Sequence, residues 1–113
     1  MDAVRAKLLA FALFLPEAAE DNPWNETVAK VGKKVFVFFG SDPRGARITV
    51  KLVESHGHAL SIDGAEPSGY GLGNAGWVTV PVDATGIDHT LLCDWIDESY
   101  RIVAPRRLVA LRE

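Results

Sequence analysis

The stretch Thr27-Val28-Ala29-Lys30-Val31-Gly32-Lys33-Lys34-Val35-Phe36-Val37-Phe38-Phe39 decides how this chain is read. β-Branched and aromatic residues fill both halves, and Gly32-Lys33 separates them. Glycine first in a two-residue loop suits a type II′ hairpin. In that register Val31 faces Lys34 and Ala29 faces Phe36. Phe36 and Phe38 then share one side of the sheet with Ala29 and Val31, while Val28, Val35, Val37 and Phe39 take the other with Lys30. Apolar residues on both sides predict a central strand covered twice, or a face covered by a partner such as a second copy in a homodimer.

Working towards the C-terminus, Ser41-Asp42-Pro43-Arg44-Gly45 is turn chemistry. A strand follows from Ala46 to Val53, with Ile48, Val50 and Leu52 pointing inward and Arg47, Thr49 and Lys51 on a wet, cationic face. Residues 55–76 are rich in glycine, which predicts one helical turn near His58 to Ile62 and then loop. Gly71-x-Gly73 precedes a strand rather than a helix and reads as turn residues, not a phosphate cradle. Trp77 to Val82 alternates as a last strand. Asp88 opens a helix whose stripe of Leu91, Leu92, Trp95, Ile96, Tyr100 and Val103 opposes the solvated Asp94, Asp97 and Glu98. Pro105 breaks it, and Arg106 to Leu111 adds a short final turn.

Working back to the N-terminus, Asp2 is placed to cap a helix whose apolar positions Val4, Leu8, Leu9, Ala12, Leu13 and Leu15 recur at helical spacing until Pro16. The acidic stretch from Glu17 to Asn25 reads as a helical turn followed by a corner at Asn22-Pro23-Trp24. The order is helix, three antiparallel strands, loop, strand, helix. It predicts an α+β fold, an antiparallel sheet with the N- and C-terminal helices packed on one face.

Length and composition fit this reading. The 113 residues suit a single domain over 1–113, and 48 % apolar with 24 % charged residues is an ordinary globular balance. Cys93 stands alone, which excludes an internal disulfide and makes a reducing cytoplasm the expected compartment. The apolar run Leu8 to Leu15 is too short to span a membrane and runs into Glu17, Glu20 and Asp21, so it reads as the buried face of the first helix.

Charge is unevenly distributed although the net value is only −3. Residues 30–51 hold six basic and one acidic side chain, whereas 52–100 hold eight acids and no Lys or Arg. Such segregation governs attraction to partners. No nucleophile elbow, phosphate-cradling glycine loop before a helix, or HExxH pattern is present, so a non-enzymatic protein without a cofactor is expected. His56 and His58 flank Gly57, and His89, Cys93 and Asp97 share a helix face. Those groups are of zinc-ligating type, but the spacing matches no zinc motif, and a structural cysteine with solvated histidines is the simpler reading. Trp24, Trp77, Trp95 and Tyr100 read as core or corner aromatics; an exposed Trp77 beside the basic strands would instead suit base stacking.

Several local signatures occur in a fixed order: Leu15-Pro16-Glu17-Ala18-Ala19-Glu20-Asp21 with Pro23-Trp24, then Lys30-Val31-Gly32-Lys33-Lys34-Val35-Phe36, a loop entering a strand at Asn74 and Trp77, and Ser99-Tyr100-Arg101-Ile102-Val103. In this order the chain resembles the MmcQ/YjbR family over essentially its whole length. The resemblance implies a CyaY-like fold and a DNA-binding role attributed to a pair of β wings. It places Lys30, Gly32, Lys33 and Lys34 on one wing, with the turn from Arg44 to Arg47 as candidate for the second. Ala75 and Gly76 stand where the family often has Lys and His.

The candidate nucleic-acid contacts are therefore Lys30, Lys33, Lys34, Arg44, Arg47 and Lys51, which sit on adjacent strands and turns and would form one patch. Arg101, Arg106, Arg107 and Arg112 either extend the patch or complement the dipole at the helix end. Lysines on exposed strands also deter edge-to-edge aggregation, which is the plain structural alternative. A protein-interaction module or homodimer, and metal binding by the acidic surface in the manner of frataxin, are the other readings; the last is fold-level analogy.

Overall fold

A computed structural model of the chain describes residues 3–22, 26–42, 45–67, 76–82 and 87–112. Six strands form one antiparallel sheet in the order β1-β2-β3-β4-β6-β5, comprising Ala18–Asp21, Thr27–Val31, Lys34–Asp42, Gly45–Lys51, Trp77–Pro81 and Glu66–Pro67 in that spatial order. Helices α1 (Ala3–Phe14) and α3 (His89–Val103) pack together against one face of its central strands, while α2 (His56–Leu60) and α4 (Arg106–Val109) are short. Among the described residues no helix is long and apolar enough to cross a membrane.

The core lies between the sheet and the two long helices. Leu8, Ala12 and Leu15 enter it from the α1 side, Leu92, Trp95, Ile96 and Tyr100 from α3. They meet Ile48, Val50, Val78 and Val80, whose period-two alternation places all four on the helix side of β4 and β6. Asp88 caps α3, its Oδ1 accepting the Leu91 N–H at 2.8 Å. Such a cap contributes about 1 kcal/mol. The expected helices and the four expected strands are thus present.

Three local expectations are corrected. Residues 18–21 form an edge strand rather than a helical turn, paired from Ala18↔Val31 to Asp21↔Val28. Local propensity loses there because β2 offers an unpaired row of backbone groups, and Glu20 and Asp21 on the new edge discourage further pairing. Glu17 makes the corner in the left-handed region, at φ 58°. The glycine-rich segment supplies a further two-residue strand, Glu66–Pro67, against β6.

The third correction concerns the hairpin. Val31 does pair with Lys34, but a bulge between Ala29 and Lys30 sets Ala29 opposite Val37 instead of Phe36. Two residues of β3 then face one of β2, so the alternation slips. Phe36 and Val37 are both fully buried, and Val37 and Phe39 join the helix-facing core in register with Val50 and Ile48. Phe38 is left on the outer face beside Val28.

Beyond Val37↔Val50 the β3–β4 ladder gives way to a side-chain bridge. The buried Ser99 hydroxyl of α3 donates to the Phe36 carbonyl and accepts the Lys51 N–H at 2.9 Å. Next to it Tyr100 stands edge-on to Phe36 and donates its hydroxyl to the Pro16 carbonyl at 2.7 Å. The residue before Ser99, Glu98, accepts from the Val53 and Ser55 amides and the Ser55 hydroxyl, fixing the approach to α2. The inner side of α3 is therefore the joint between the sheet, the end of α1 and α2.

Candidate functional site

The β2–β3 tip is built as expected. Gly32 has φ 63°, and Lys33 does not share the positive φ that a type I′ turn needs at both positions, so the loop is type II′. Lys33 and Lys34 are exposed there, and among the described residues they form no ion pair.

The other candidate cations do not join them in one patch. Lys30 is tied to Asp21 across the β1–β2 pair at 2.9 Å and remains 33 % exposed. Arg47 is not on a wet face: it is only 8 % exposed, with Nη2 donating to the Gly64 carbonyl at 2.6 Å and 3.9 Å from a Glu66 carboxylate oxygen. Its long stem lies along the outer face and binds the segment leading into β5 to β4, a packing role for an arginine. Arg47 also pairs with Gly40, six residues along β3 from Lys34, which is about 20 Å of strand. Lys51 is half-buried opposite Trp77 on the outer face. Arg44 lies outside the described residues, as do Asp2, Trp24, the Gly71-x-Gly73 pair, Asn74 and Ala75.

The outer sheet face is more apolar than a cationic strand face would be. Phe38 and Trp77 meet edge-to-face with centroids 5.5 Å apart, and the Thr49 and Thr79 hydroxyls share a hydrogen bond of 2.8 Å. Both aromatic rings are partly exposed, whereas Trp95 and Tyr100 are core residues.

What the hairpin lysines do meet is the end of α3. A groove of about 880 Å³ opens between the β2–β3 tip and the α3–α4 corner. Lys33 and Lys34 line it from one side, Arg101 and Arg106 from the other. Val31, Ile102, Pro105 and Val109 contribute apolar surface between them. Arg101 also pairs with Asp97 one turn back, Nε to Oδ2 at 3.2 Å, and stays 35 % exposed. Arg107 turns the opposite way, gripping Glu17 with two hydrogen bonds of 2.7 and 3.3 Å. The C-terminal arginines look alike in the sequence; only tertiary contact separates a groove residue from a clamp.

Two carboxylates are shifted by these pairs. The Arg107 hydrogen bonds and charge hold Glu17 below its ordinary 4.5, and the Lys30 hydrogen bond, the Asn22 amide and the Lys30 charge hold Asp21 below 3.8. With folded values depressed, their contribution is complete above the ordinary carboxylate pKa and is lost as pH falls through the lowered values. A Glu17→Gln, Asp21→Asn double variant is expected to show a smaller fall in urea midpoint between about pH 6 and about pH 3 than the parent. Equal falls would mean that neither pair contributes to acid sensitivity. Both pairs are exposed, so the difference will be modest.

Among the described residues no group of three or more His, Cys, Asp or Glu side chains is arranged to hold a metal ion. His58 stands edge-on to Trp95, and burial together with Asp94 pushes the Cys93 thiol above its ordinary pKa, which disfavours the thiolate a metal would need.

The sheet order, the one-sided helices and the basic hairpin–helix groove define an α+β fold of a recognisable kind. A family model described as YjbR matches residues 13–102, and the chain belongs to the YjbR family. Among solved structures, a Deinococcus radiodurans protein with a DUF419 domain superimposes with a TM-score of 0.71 at 24 % identity, covering 90 % of this chain and 79 % of its own. A Pseudomonas syringae protein solved by structural genomics gives 0.71 at 17 % identity, covering 91 % and 99 %. At these identities the likeness is one of fold. No curated protein matches the chain significantly.

Proposed function

We propose that this YjbR-family protein is a non-enzymatic DNA-binding protein that contacts the sugar–phosphate backbone, with the β2–β3 hairpin as its contacting wing. The observation that carries this reading is the exposed Lys33-Lys34 pair at the tip of a type II′ turn, facing Arg101 and Arg106. Cations held on a defined scaffold neutralise phosphates and release counterions, which supplies affinity without base recognition. The eight acids of residues 52–100 disfavour the same ligand over that segment, and Asp97 beside Arg101 marks where the basic end stops. Lys30, Arg47 and Lys51, engaged or half-buried, are secondary to this contact.

Retardation of duplex DNA in native gels at low salt is the test. The unmodified protein is expected to retard it, and Lys33→Glu with Lys34→Glu to abolish the shift. Loss of two phosphate contacts corresponds to a salt slope shallower by about two. No retardation by the unmodified protein would overturn the reading.

A further inference from the structure

The groove between the hairpin and the α3–α4 corner has a chemistry of its own. Its cations stand on two opposing sides, Lys33 and Lys34 against Arg101 and Arg106, and the surface between them is aliphatic. Among the described residues none of its lining side chains is aromatic. The aromatic pair that is partly exposed, Phe38 and Trp77, lies on the outer sheet face and not in the groove.

We infer that this groove holds one sugar–phosphate strand, with phosphates on the two cationic sides and sugar rings on the aliphatic floor, and that it does not read or stack bases. The inference rests on the nucleic-acid reading above and makes Arg101 and Arg106 ligand-binding residues. Charge complementarity selects a polyanionic strand over a neutral peptide. An aliphatic floor suits the apolar faces of sugar rings, whereas strand binders that engage bases present aromatic platforms. Stacking contributes roughly 5- to 150-fold in affinity per base, so its absence is measurable.

The experiment compares a labelled single-stranded 15-mer with a fully abasic 15-mer by fluorescence anisotropy at low salt. Equal affinities within about twofold are expected, with a log–log salt slope of about −2 to −3, Lys33, Lys34 and Arg106 contributing about 0.7 each and Arg101, shared with Asp97, less. Arg106→Glu and Lys34→Glu, both at exposed positions, are expected to weaken both ligands at least tenfold, while Lys7→Glu, exposed on α1 and outside the groove lining, changes neither by more than twofold. Tenfold weaker binding of the abasic strand would show that bases are engaged and overturn the inference. Unchanged binding by Arg106→Glu, with duplex retardation intact, would move the site away from the groove while leaving the nucleic-acid reading standing. Displacement of the strand by micromolar dodecyl phosphate would reassign the groove to a small anionic amphiphile. Failure of the unmodified protein to bind duplex or either strand would sink the broader reading itself.

Discussion

Gly76→Ala is expected to destabilise the protein by about 3 kcal/mol and to lower its thermal midpoint by roughly 12 °C, taking about 4 °C per kcal/mol for a chain of this size. Gly76 has φ +95°, where an L side chain is strained, and a Cβ built there lies 2.7 Å from the Leu52 carbonyl oxygen. That oxygen cannot easily yield. The Leu52 N–H donates to the Gly76 carbonyl at 2.9 Å, and the Leu52 side chain is buried in the core. Backbone strain of about 1–3 kcal/mol and a disturbed hydrogen bond of about 1 kcal/mol make up the effect. Gly57→Ala provides a contrast of opposite sign. Gly57 lies in α2 with nothing within 4 Å of its added Cβ, so alanine is expected to stabilise by up to about 1 kcal/mol through helix propensity. A loss below about 1 kcal/mol at Gly76 would show that the close approach relaxes at little cost.

The family resemblance set Gly76 among positions often polar in relatives. In this chain the residue at 76 is constrained by the approach of Leu52, so its identity reports on the joint between β4 and β6 rather than on ligand contact.

Ser99→Ala is the second large effect, at about 3 kcal/mol. Its hydroxyl is the bridge between the Phe36 carbonyl and the Lys51 amide where the β3–β4 ladder ends, and the side chain is fully buried. Alanine leaves a donor and an acceptor without their partner, each costing about 1–3 kcal/mol when buried. Amide hydrogen exchange gives a local readout: the Lys51 N–H is expected to lose protection beyond what the global destabilisation explains. Unaltered Lys51 exchange would mean that another acceptor takes the place of the hydroxyl. Because β3 and β4 lead from this joint towards the hairpin and the outer face, Ser99→Ala also tests whether groove affinity depends on the joint.

Much of this architecture was legible in local pattern. The end of the 3.6-residue period at Pro16 and the 2-residue period from Thr27, the Gly32-Lys33 loop, the alternation of Ile48 and Val50, and the Asp88 cap each specify structure within a few residues, because backbone sterics and turn geometry act over that range. What failed was of longer reach. The stretch from Glu17 had no strand signature of its own, and its pairing comes from Val28 to Val31. The bulge at Ala29/Lys30 brings Phe36 edge-on to Tyr100, a residue far along the chain. No periodicity count contains that contact.

The candidate site divides in the same way. Charge counting found Lys33 and Lys34, and the type II′ tip exposes them as the turn chemistry required. Counting could not tell that Arg47 would turn onto the Gly64 carbonyl or Lys30 onto Asp21. A long cationic side chain reaches several ångströms from its backbone, and its partner is chosen by whatever tertiary packing brings within that radius.

By itself, then, the sequence determined the two long helices, the four strands with period-two alternation, the hairpin turn and the sign of charge along each segment, all properties of short-range sterics, solvation and composition. Only the tertiary structure decided the six-strand order, the slipped register that buries Phe36 and Val37 together, and the placing of Lys33 and Lys34 on the same groove as Arg101 and Arg106. Those outcomes depend on pairing and packing between residues distant in the chain, where backbone hydrogen bonds and core complementarity outweigh local preference.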